Sequence, residues 1–260
     1  MFGKAAAELK SSVFAWRMWS FMGYQDIQQR YRNSILGPLW LVCNLGVVVL
    51  GIGLLYPKLF KTDLHTFVPF VTVSLMIWNF FIGTLTEGCS AFLAASGIVR
   101  QIKIPLPVFV LRVIWRNIIM LAHSMIVFAI VGVIFKLFMK IHYLEFVGGT
   151  VLFLLNLTWM VMILAILSTR FRDTAQIVLY VLIFSTFMTP IYWPSSLLPA
   201  NSPFLVFNPL AHYMAIIRDP LLGNHPTALN WSFCIGTAIL GWAVAYVSFA
   251  WKRREIIFWF

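Results

Sequence analysis

Six apolar segments, each long enough to cross a bilayer, constrain this sequence more than any other feature. A helix rises about 1.5 Å per residue, so about 20 apolar residues span a hydrocarbon core of roughly 30 Å. With 61% hydrophobic and 10% charged residues, the chain is also too apolar for a water-soluble domain. The sequence therefore predicts an all-α membrane protein with six transmembrane helices. The predicted spans are Leu36–Tyr56, Thr66–Thr86, Ile114–Phe135, Phe146–Ser168, Ala175–Trp193 and Trp231–Trp251.

The positive charges alternate by side along these spans. If the N-terminus is cytoplasmic, fourteen of the nineteen Lys and Arg residues lie on the cytoplasmic side. The five on the outer side are Lys58, Lys61, Lys136, Lys140 and Arg218. The positive-inside rule then predicts that both termini are cytoplasmic. The net charge of +11 is an orientation signal and an attraction to membrane lipids, and it does not indicate a nucleic-acid partner.

Residues 1–33 are predicted to form one amphipathic helix. Its apolar stripe at helical spacing consists of Leu9, Val13, Trp16, Tyr24, Ile27 and Tyr31. Lys10, Arg17 and Asp26 lie off this stripe. Aromatic residues on one face and basic residues on another are typical of a helix in the headgroup plane. The alternative is an ordinary cytoplasmic helix packed on the bundle.

The cytoplasmic stretch 87–112 is too polar to cross the membrane. Gly88–Gln101 is predicted to form a short helix, which Ile104-Pro105-Leu106-Pro107 then ends. Each proline removes a backbone donor and disfavours helix in the residue before it. A short exposed helix at this position has the shape needed to dock a cytoplasmic partner. The alternative is a plain connecting loop.

The segment 194–230 is rich in proline. Together with Pro190 it holds seven of the twelve prolines of the chain. The apolar run Phe204–Ile217 has 14 residues, and runs of about 10–14 are too short to span a bilayer. A seventh crossing would also place the basic tail on the outer side. The sequence therefore predicts short re-entrant helices that enter the outer leaflet between the fifth and sixth spans.

Residues suited to catalysis are scattered along the chain. The eight acids form no local pair, and the five histidines and three cysteines form no metal-ligand spacing. His123 lies within a span, where it is either functional or a neutral imidazole bonded between helices. The sequence also has no phosphate-binding loop of the G-x-x-x-x-G-K-[ST] type. We therefore predict no catalytic residue, metal or cofactor in this chain.

Aromatic residues make up 17% of the sequence. Flat rings pack on the C–H faces of sugars, and hydroxyl and amide groups exchange hydrogen bonds with them, which suits weak binding of a sliding polymer. The alternative is that these residues face lipid or form interfacial belts. The predicted channel lining is Trp40, Asn44, Tyr56, Trp78, Phe184, Phe187, Tyr192 and Trp193.

Several short motifs resemble one family of membrane proteins. The first is Arg30-Tyr31-Arg32-x-Ser34-x-Leu36-Gly37-x-Leu39-Trp40, and the second is Ile102-Lys103-Ile104-Pro105. Three more follow along the chain: Phe171-Arg172-Asp173, Thr189-Pro190-Ile191, and Asn208-Pro209-Leu210 together with Arg218. With the order of segments, these motifs make the whole chain resemble the transmembrane subunit of ABC-2 type exporters of polysaccharides, such as O-antigen, capsule and teichoic acid. The resemblance divides the chain into the interface helix 1–33 and a transmembrane domain 34–260.

The resemblance implies a half-transporter in the bacterial inner membrane. Two copies would form a homodimeric pore and bind two copies of a separate ATPase, which holds ATP and Mg. The substrate would be a polymer, O-antigen in the first place, on undecaprenyl diphosphate. The implied contacts with the ATPase are Gly88, Ala91, Ala95, Ile98 and Gln101. The implied contacts with the diphosphate are Arg30, Arg32, Arg100 and Lys103, which could instead be positive-inside charges alone. The implied outer re-entrant residues are Asn208, Pro209 and Arg218.

Two other functions remain open. A permease for small hydrophobic drugs or lipids would share the fold. An integral-membrane enzyme acting on lipid-linked sugars would need convergent carboxylates or histidines, and the sequence offers none at recognisable spacing.

Overall fold

A computed structural model describes residues 2–199 and 202–259. Four residues lie outside the described ranges, namely Met1, Ala200, Asn201 and Phe260. The predicted segments that contain them, 1–33, 34–260 and 194–230, are described without them.

Secondary structure in the described ranges is helical throughout, which confirms the predicted all-α class. The α-helices are α1 (Phe2–Phe14), α2 (Trp16–Tyr31), α3 (Leu39–Phe60), α4 (Leu64–Cys89), α5 (Ser96–Gln101), α6 (Pro107–Ile134), α7 (Tyr143–Arg170), α8 (Thr174–Met188), α9 (Pro203–Val206), α10 (Pro209–Leu221) and α11 (Ala228–Lys252). Short 3₁₀ turns occupy Leu93–Ala95, Leu137–Met139, Ser195–Leu197 and Ile256–Phe258.

Five of the described helices, α3, α4, α6, α7 and α11, are long and apolar enough to cross a membrane. They coincide with five of the six predicted spans. The fifth predicted span corresponds to α8, whose 15 residues cover only about 22 Å. The prediction that this helix extends to Trp193 was wrong. It ends at Met188 because Pro190 forces Thr189 into an extended conformation, with ψ of 140°.

The predicted cytoplasmic helix Gly88–Gln101 was also wrong in its extent. Helix α4 continues to Cys89, and the chain then turns so that Phe92 and Ala95 are fully buried. Only Ser96–Gln101 forms an α-helix. The predicted break by two prolines is confirmed, because α5 ends before it and Pro107 begins α6.

The N-terminal segment forms two helices that break at Ala15, where one was predicted. Ile27 is buried, whereas Val13, Trp16 and Tyr24 of the same predicted stripe are exposed. The break shifts the helical register, and small residues rather than large apolar ones supply much of the buried side. The N-terminal helices thus pack on the bundle and present aromatic side chains outward. Their position in the headgroup plane stays a prediction.

Helix α4 lies at the centre of the bundle. In its most apolar 18-residue stretch, 72% of the residues are buried, compared with 17% in the corresponding stretch of α3. Phe81 stacks on Trp78 with ring centroids 5.5 Å apart, and it also contacts Phe153 and Tyr213. These contacts join α4 to α7 and α10 in one aromatic core, and α10 is buried along most of its length.

A single amide organises the polar contacts inside this core. Asn156 on α7 donates to the Cys234 carbonyl at 3.0 Å. Its Oδ1 accepts hydrogen bonds from Trp159 Nε1 at 3.0 Å, Thr237 Oγ1 at 3.1 Å and Tyr213 Oη at 3.4 Å. A buried polar group is costly unless it is bonded, so Asn156 fixes α10 and α11 against α7.

Segments predicted to share one side of the membrane lie together at one end of the bundle. Among the predicted cytoplasmic segments, Glu8 of α1 pairs with Arg253, the residue that follows α11. At the other end of the bundle, His142 N–H donates to the Pro220 carbonyl, joining two predicted outer connections. We call these the inner and outer ends.

Candidate functional site

Five charged side chains form an ion-pair network at the inner end. Asp26 on α2 accepts hydrogen bonds from both Arg112 and Arg116 on α6, with Arg116 Nη1 2.9 Å away. Arg116 Nη2 also donates to Glu87 Oε2 on α4 at 2.7 Å. Arg30 on α2 donates to Glu87 Oε1 at 2.6 Å. Arg116 therefore bridges carboxylates from two different helices, and we call these five residues the inner network.

Burial is uneven within the inner network. The side chains of Asp26 and Arg116 are 11% and 16% exposed, whereas Arg30 is 49% exposed. Burial alone would lower the pKa of Arg30, but the hydrogen bond and charge of Glu87 outweigh it and raise that pKa. Asn117 donates to Glu87 Oε2 at 2.7 Å and completes the partners of this carboxylate. The arrangement can transmit a displacement of α2 to both α4 and α6.

Helical spacing explains how the inner network forms. Arg112 and Arg116 are four residues apart on one face of α6, and Asp26 and Arg30 are four apart on α2. The helices approach closely at Gly23, where an added Cβ would lie 3.1 Å from a Trp115 ring atom. The sequence alone does not single out Asp26, Glu87, Arg112 or Arg116 as site residues. The paired i,i+4 charges on two helices are the signal that could have found them.

The predicted ATPase contacts do not share one exposed face. Gly88, Ala91 and Ala95 are buried in the bundle, and Gly88 lies against Val161. Ile98 is half-buried and Gln101 is exposed. Of the five predicted contacts, Ile98 and Gln101 on α5 are therefore the two that reach the surface.

One of the four predicted diphosphate contacts, Arg30, belongs to the inner network. Arg30 is engaged with Glu87, so a headgroup would have to compete with that carboxylate. Arg32, Arg100 and Lys103 are exposed. A cavity of about 150 Å³ with a mixed polar and apolar lining lies beside Arg30 and Glu87.

Two motifs that are separate in sequence meet at the outer end. Asn208 Nδ2 donates to the Met188 carbonyl at 3.0 Å and to Thr189 Oγ1 at 3.1 Å, and its Oδ1 caps α10. Arg218 is only 5% exposed and donates through Nη1 to the Pro190 carbonyl at 2.7 Å. These bonds satisfy backbone groups that the end of α8 leaves open. We call Thr189, Pro190, Asn208 and Arg218 the outer junction.

Pro209 is the first residue of α10, where its missing N–H costs nothing. It is exposed and makes the turn into α10 rigid.

The predicted channel residues occupy different environments. Trp78 is 2% exposed, and its Nε1 donates to Thr186 Oγ1 at 3.0 Å. It therefore lies in the core of the helix bundle rather than on an exposed surface. Phe184 and Phe187 project from α8, and both are about two-thirds exposed.

The remaining channel candidates lie on α3 and after α8. Trp40 and Asn44 are exposed, whereas Tyr56 is half-buried and its ring is 6.3 Å from that of Phe67. Tyr192 is half-buried, and burial raises its pKa. Trp193 donates to the Phe187 carbonyl at 3.3 Å.

In the described part of the chain, no group of three or more His, Cys, Asp or Glu side chains is placed to hold a metal ion. His123 was expected to bond between helices if it is structural. Instead its Nδ1 lies 2.8 Å from the Ile119 carbonyl oxygen of its own helix.

Comparisons with known proteins agree with this architecture. The sequence profile of the ABC-2 type transporter family matches residues 18–222. The chain is 27% identical to the O-antigen export system permease protein RfbA of Myxococcus xanthus, over 89% of this chain and 90% of the relative. Two proteins of the same name from Klebsiella pneumoniae are 24% and 21% identical, over 80% and 87% of both chains.

Proposed function

The chain belongs to the ABC-2 type transporter family, and from this premise we propose that it is the membrane subunit of an ATP-driven exporter of lipid-linked O-antigen. The observation that carries the proposal is the similarity to permeases named for O-antigen export along most of both lengths. The polymer would enter on undecaprenyl diphosphate from the cytoplasmic leaflet of the bacterial inner membrane. Both termini would be cytoplasmic.

The energy would come from a separate ATPase subunit. Two copies of it would bind ATP and Mg at the inner end, beside α5 and the N-terminal helices. Because the inner network joins α2 to α4 and α6, a push on α2 would reach the centre of the bundle directly. This gives the proposed coupling a physical route.

A homodimer would complete the pore. Helix α3 is little buried, and α8 leaves most of its apolar side chains exposed. Both helices contact the central α4, so a second copy would cover an extended apolar surface around them. Differently tagged copies of the chain should co-purify in detergent if this is correct.

Deletion of the gene should remove the surface polysaccharide while polymer accumulates inside the cell. The reason is that synthesis on the lipid carrier continues while translocation is blocked. The measurement is a lipopolysaccharide gel together with an assay of cytoplasmic lipid-linked polymer, and the restored wild-type gene is the control.

Other outcomes of the deletion would contradict the proposal in distinct ways. Loss of surface polymer without internal accumulation would point to an enzyme of lipid-linked sugar synthesis. A capsular or teichoic polymer lost in place of O-antigen would change the substrate. No change in any polymer would favour a permease for small lipids or drugs.

Replacing Phe184 with alanine should slow export by roughly threefold or more if exposed rings of α8 carry the polymer, because ring contacts are each worth about 0.5–1.5 kcal/mol. Ile177→Ala is the matched control, since Ile177 lies seven residues earlier on the same face and is equally exposed. The measurement is the rate at which labelled polymer reaches the cell surface. Equal rates in the two variants would remove Phe184 from the polymer path.

A further inference from the structure

A cavity rich in polar groups lies at the outer end, beside Arg218 of the outer junction. Its volume is about 420 Å³, within the roughly 300–1,000 Å³ of small-molecule sites. Its walls come from the α3–α4 turn and the start of α4, the segment after the 3₁₀ turn Leu137–Met139, the turn Ser195–Leu197 and the end of α10. All these connections lie on the side that the charge rule predicts to be outer.

Hydrogen-bonding groups dominate the wall of this outer cavity. They offer hydroxyl, amide and carboxylate groups that a purely apolar ligand would leave unsatisfied. They are Thr62, Thr66, Ser195, Ser196, Asp219 and Asn224. A second cavity of the same volume between α3, α4 and α6 is lined entirely by apolar residues and glycine. The contrast shows that the polarity belongs to the outer cavity and is not general to the bundle.

Arg218 supplies a fixed donor at this wall. Its Nη1 donates a hydrogen bond to the Pro190 carbonyl, and its Nε donates to Asp219 Oδ1 at 3.3 Å. Its Cζ lies 4.9 Å from the ring centroid of Phe70. Phe70 also lines the cavity and is half-buried. A pre-set arrangement of donors, acceptors and a ring matches a sugar, whose hydroxyls donate and accept while its C–H face packs on an aromatic surface.

The charges argue against a simple anion site. Lys140 and Arg218 line the cavity, but Asp219 already pairs with Arg218. A carboxylate in the wall would repel an anion, whereas it can accept hydrogen bonds from sugar hydroxyls. Lys140, Arg218 and Asp219 together carry one net positive charge, which is a weak attraction for a phosphate.

We propose that the outer cavity is a carbohydrate-binding subsite that holds a sugar unit of the exported polymer as it leaves the bundle. The identity of the polymer rests on the proposed function, but the location and chemistry of the subsite rest on the residues above. A weak subsite here would bias a polymer toward outward movement by retaining units that have already crossed.

The test uses the full chain in lipid nanodiscs. The probe is short oligosaccharides released by mild acid from the O-polysaccharide of the strain that carries the gene, titrated by saturation-transfer difference NMR. Asp219→Asn should weaken binding roughly tenfold, because it replaces a charged acceptor by a neutral amide. Glu145→Gln is the control, since Glu145 is an outer carboxylate that pairs with His225 instead of lining the cavity.

Ser196→Trp provides a second variant, because it adds bulk at an exposed position of the cavity and leaves the Arg218–Asp219 pair intact. Loss of binding in either folded variant, with binding kept in Glu145→Gln, would support the subsite. Equal binding in all variants, no binding at all, or full displacement by inorganic phosphate would overturn it. Export measured in the deletion strain tests the proposed function separately, so either idea can fail while the other stands.

Discussion

Replacing Gly149 with valine should prevent the outer half of the bundle from assembling. A Cβ added at Gly149 would lie 2.1 Å from the carbonyl oxygen of Ile216 on α10 and 2.9 Å from its carbonyl carbon. These are backbone atoms, so no side-chain rotation can relieve the clash. Overpacking of a buried site costs roughly 1–3 kcal/mol and more when the backbone must move. We expect a loss of about 3 kcal/mol or more, visible as poor accumulation and a lower unfolding temperature in detergent.

Gly148→Val is the matched control for this prediction. The nearest atom to an added Cβ there is Trp231 Cη2 at 3.6 Å, which is ordinary contact. The two variants share the same change in helix propensity, so their difference isolates the crossing of α7 and α10. Similar unfolding temperatures for both would mean that these helices are not in close contact.

The loss of that crossing should also reach the outer junction. Helix α10 carries Arg218 and is capped by Asn208, and both side chains bond to the end of α8. If α10 shifts by even one ångström, hydrogen bonds of 2.7–3.1 Å to Pro190 and Thr189 can no longer form with good geometry. Gly149→Val should therefore reduce export even in the fraction that accumulates.

Much of the bundle could be predicted from the sequence because lipid imposes a simple rule. A spanning segment must satisfy its backbone internally and show apolar side chains over about 20 residues, so hydropathy reports directly on the helix. Five predicted spans coincide with α3, α4, α6, α7 and α11 for this reason. Hydropathy alone overextended α8, since the run from Ala175 to Trp193 is apolar across a proline that ends the helix at Met188.

The inner network could not be predicted in the same way. Asp26 and Arg112 are 86 residues apart, and Arg30 and Glu87 are 57 apart. The i,i+4 spacing of charges on α2 and α6 marks the faces concerned, but it does not say which charges meet, because their pairing depends on how α2 docks. Asn156 illustrates the same limit inside a span, where one amide in an apolar run changes the hydropathy little yet joins three helices.

The outer junction could be predicted in part, unlike the spans, which follow from hydropathy, and the inner network, which does not. The motifs around Pro190 and Asn208 are visible in the sequence, and Pro190 correctly signals irregular backbone. Their contact is a property of the fold, because Arg218 reaches the Pro190 carbonyl only when α10 packs inside the bundle. The predicted span ran past Pro190 to Trp193, so the end of the helix and the partner of the Pro190 carbonyl both became clear only in the fold.

Arg116→Gln should be the most damaging change in the inner network. Arg116 is mostly buried and donates to both Asp26 and Glu87, so its loss leaves two carboxylates with fewer partners. Removing one partner of a buried ion pair costs about 3–5 kcal/mol. We expect that loss in the unfolding free energy, and we expect export to fall at least tenfold because the buried Asp26–Arg116–Glu87 bridge is lost and only the more exposed Arg30–Glu87 pair still joins α2 to α4. The measurements are thermal unfolding in detergent and the surface polysaccharide of complemented cells.

Arg30→Gln is the internal control for Arg116→Gln, because it removes a cation from the same network at a largely exposed position. Exposed pairs contribute at most about 1 kcal/mol, so this variant should keep most of its stability. A triple variant with Asp26→Asn and Glu87→Gln beside Arg116→Gln should recover part of the stability, since it removes the two carboxylates that have each lost a cation, whereas Arg112 and Arg30 still reach water. Recovered stability with export still lost would separate coupling from folding. If Arg116→Gln lost no more stability than Arg30→Gln and exported polymer at the wild-type rate, the network would not connect α2 to the bundle, and the proposed route from the ATPase would lie elsewhere.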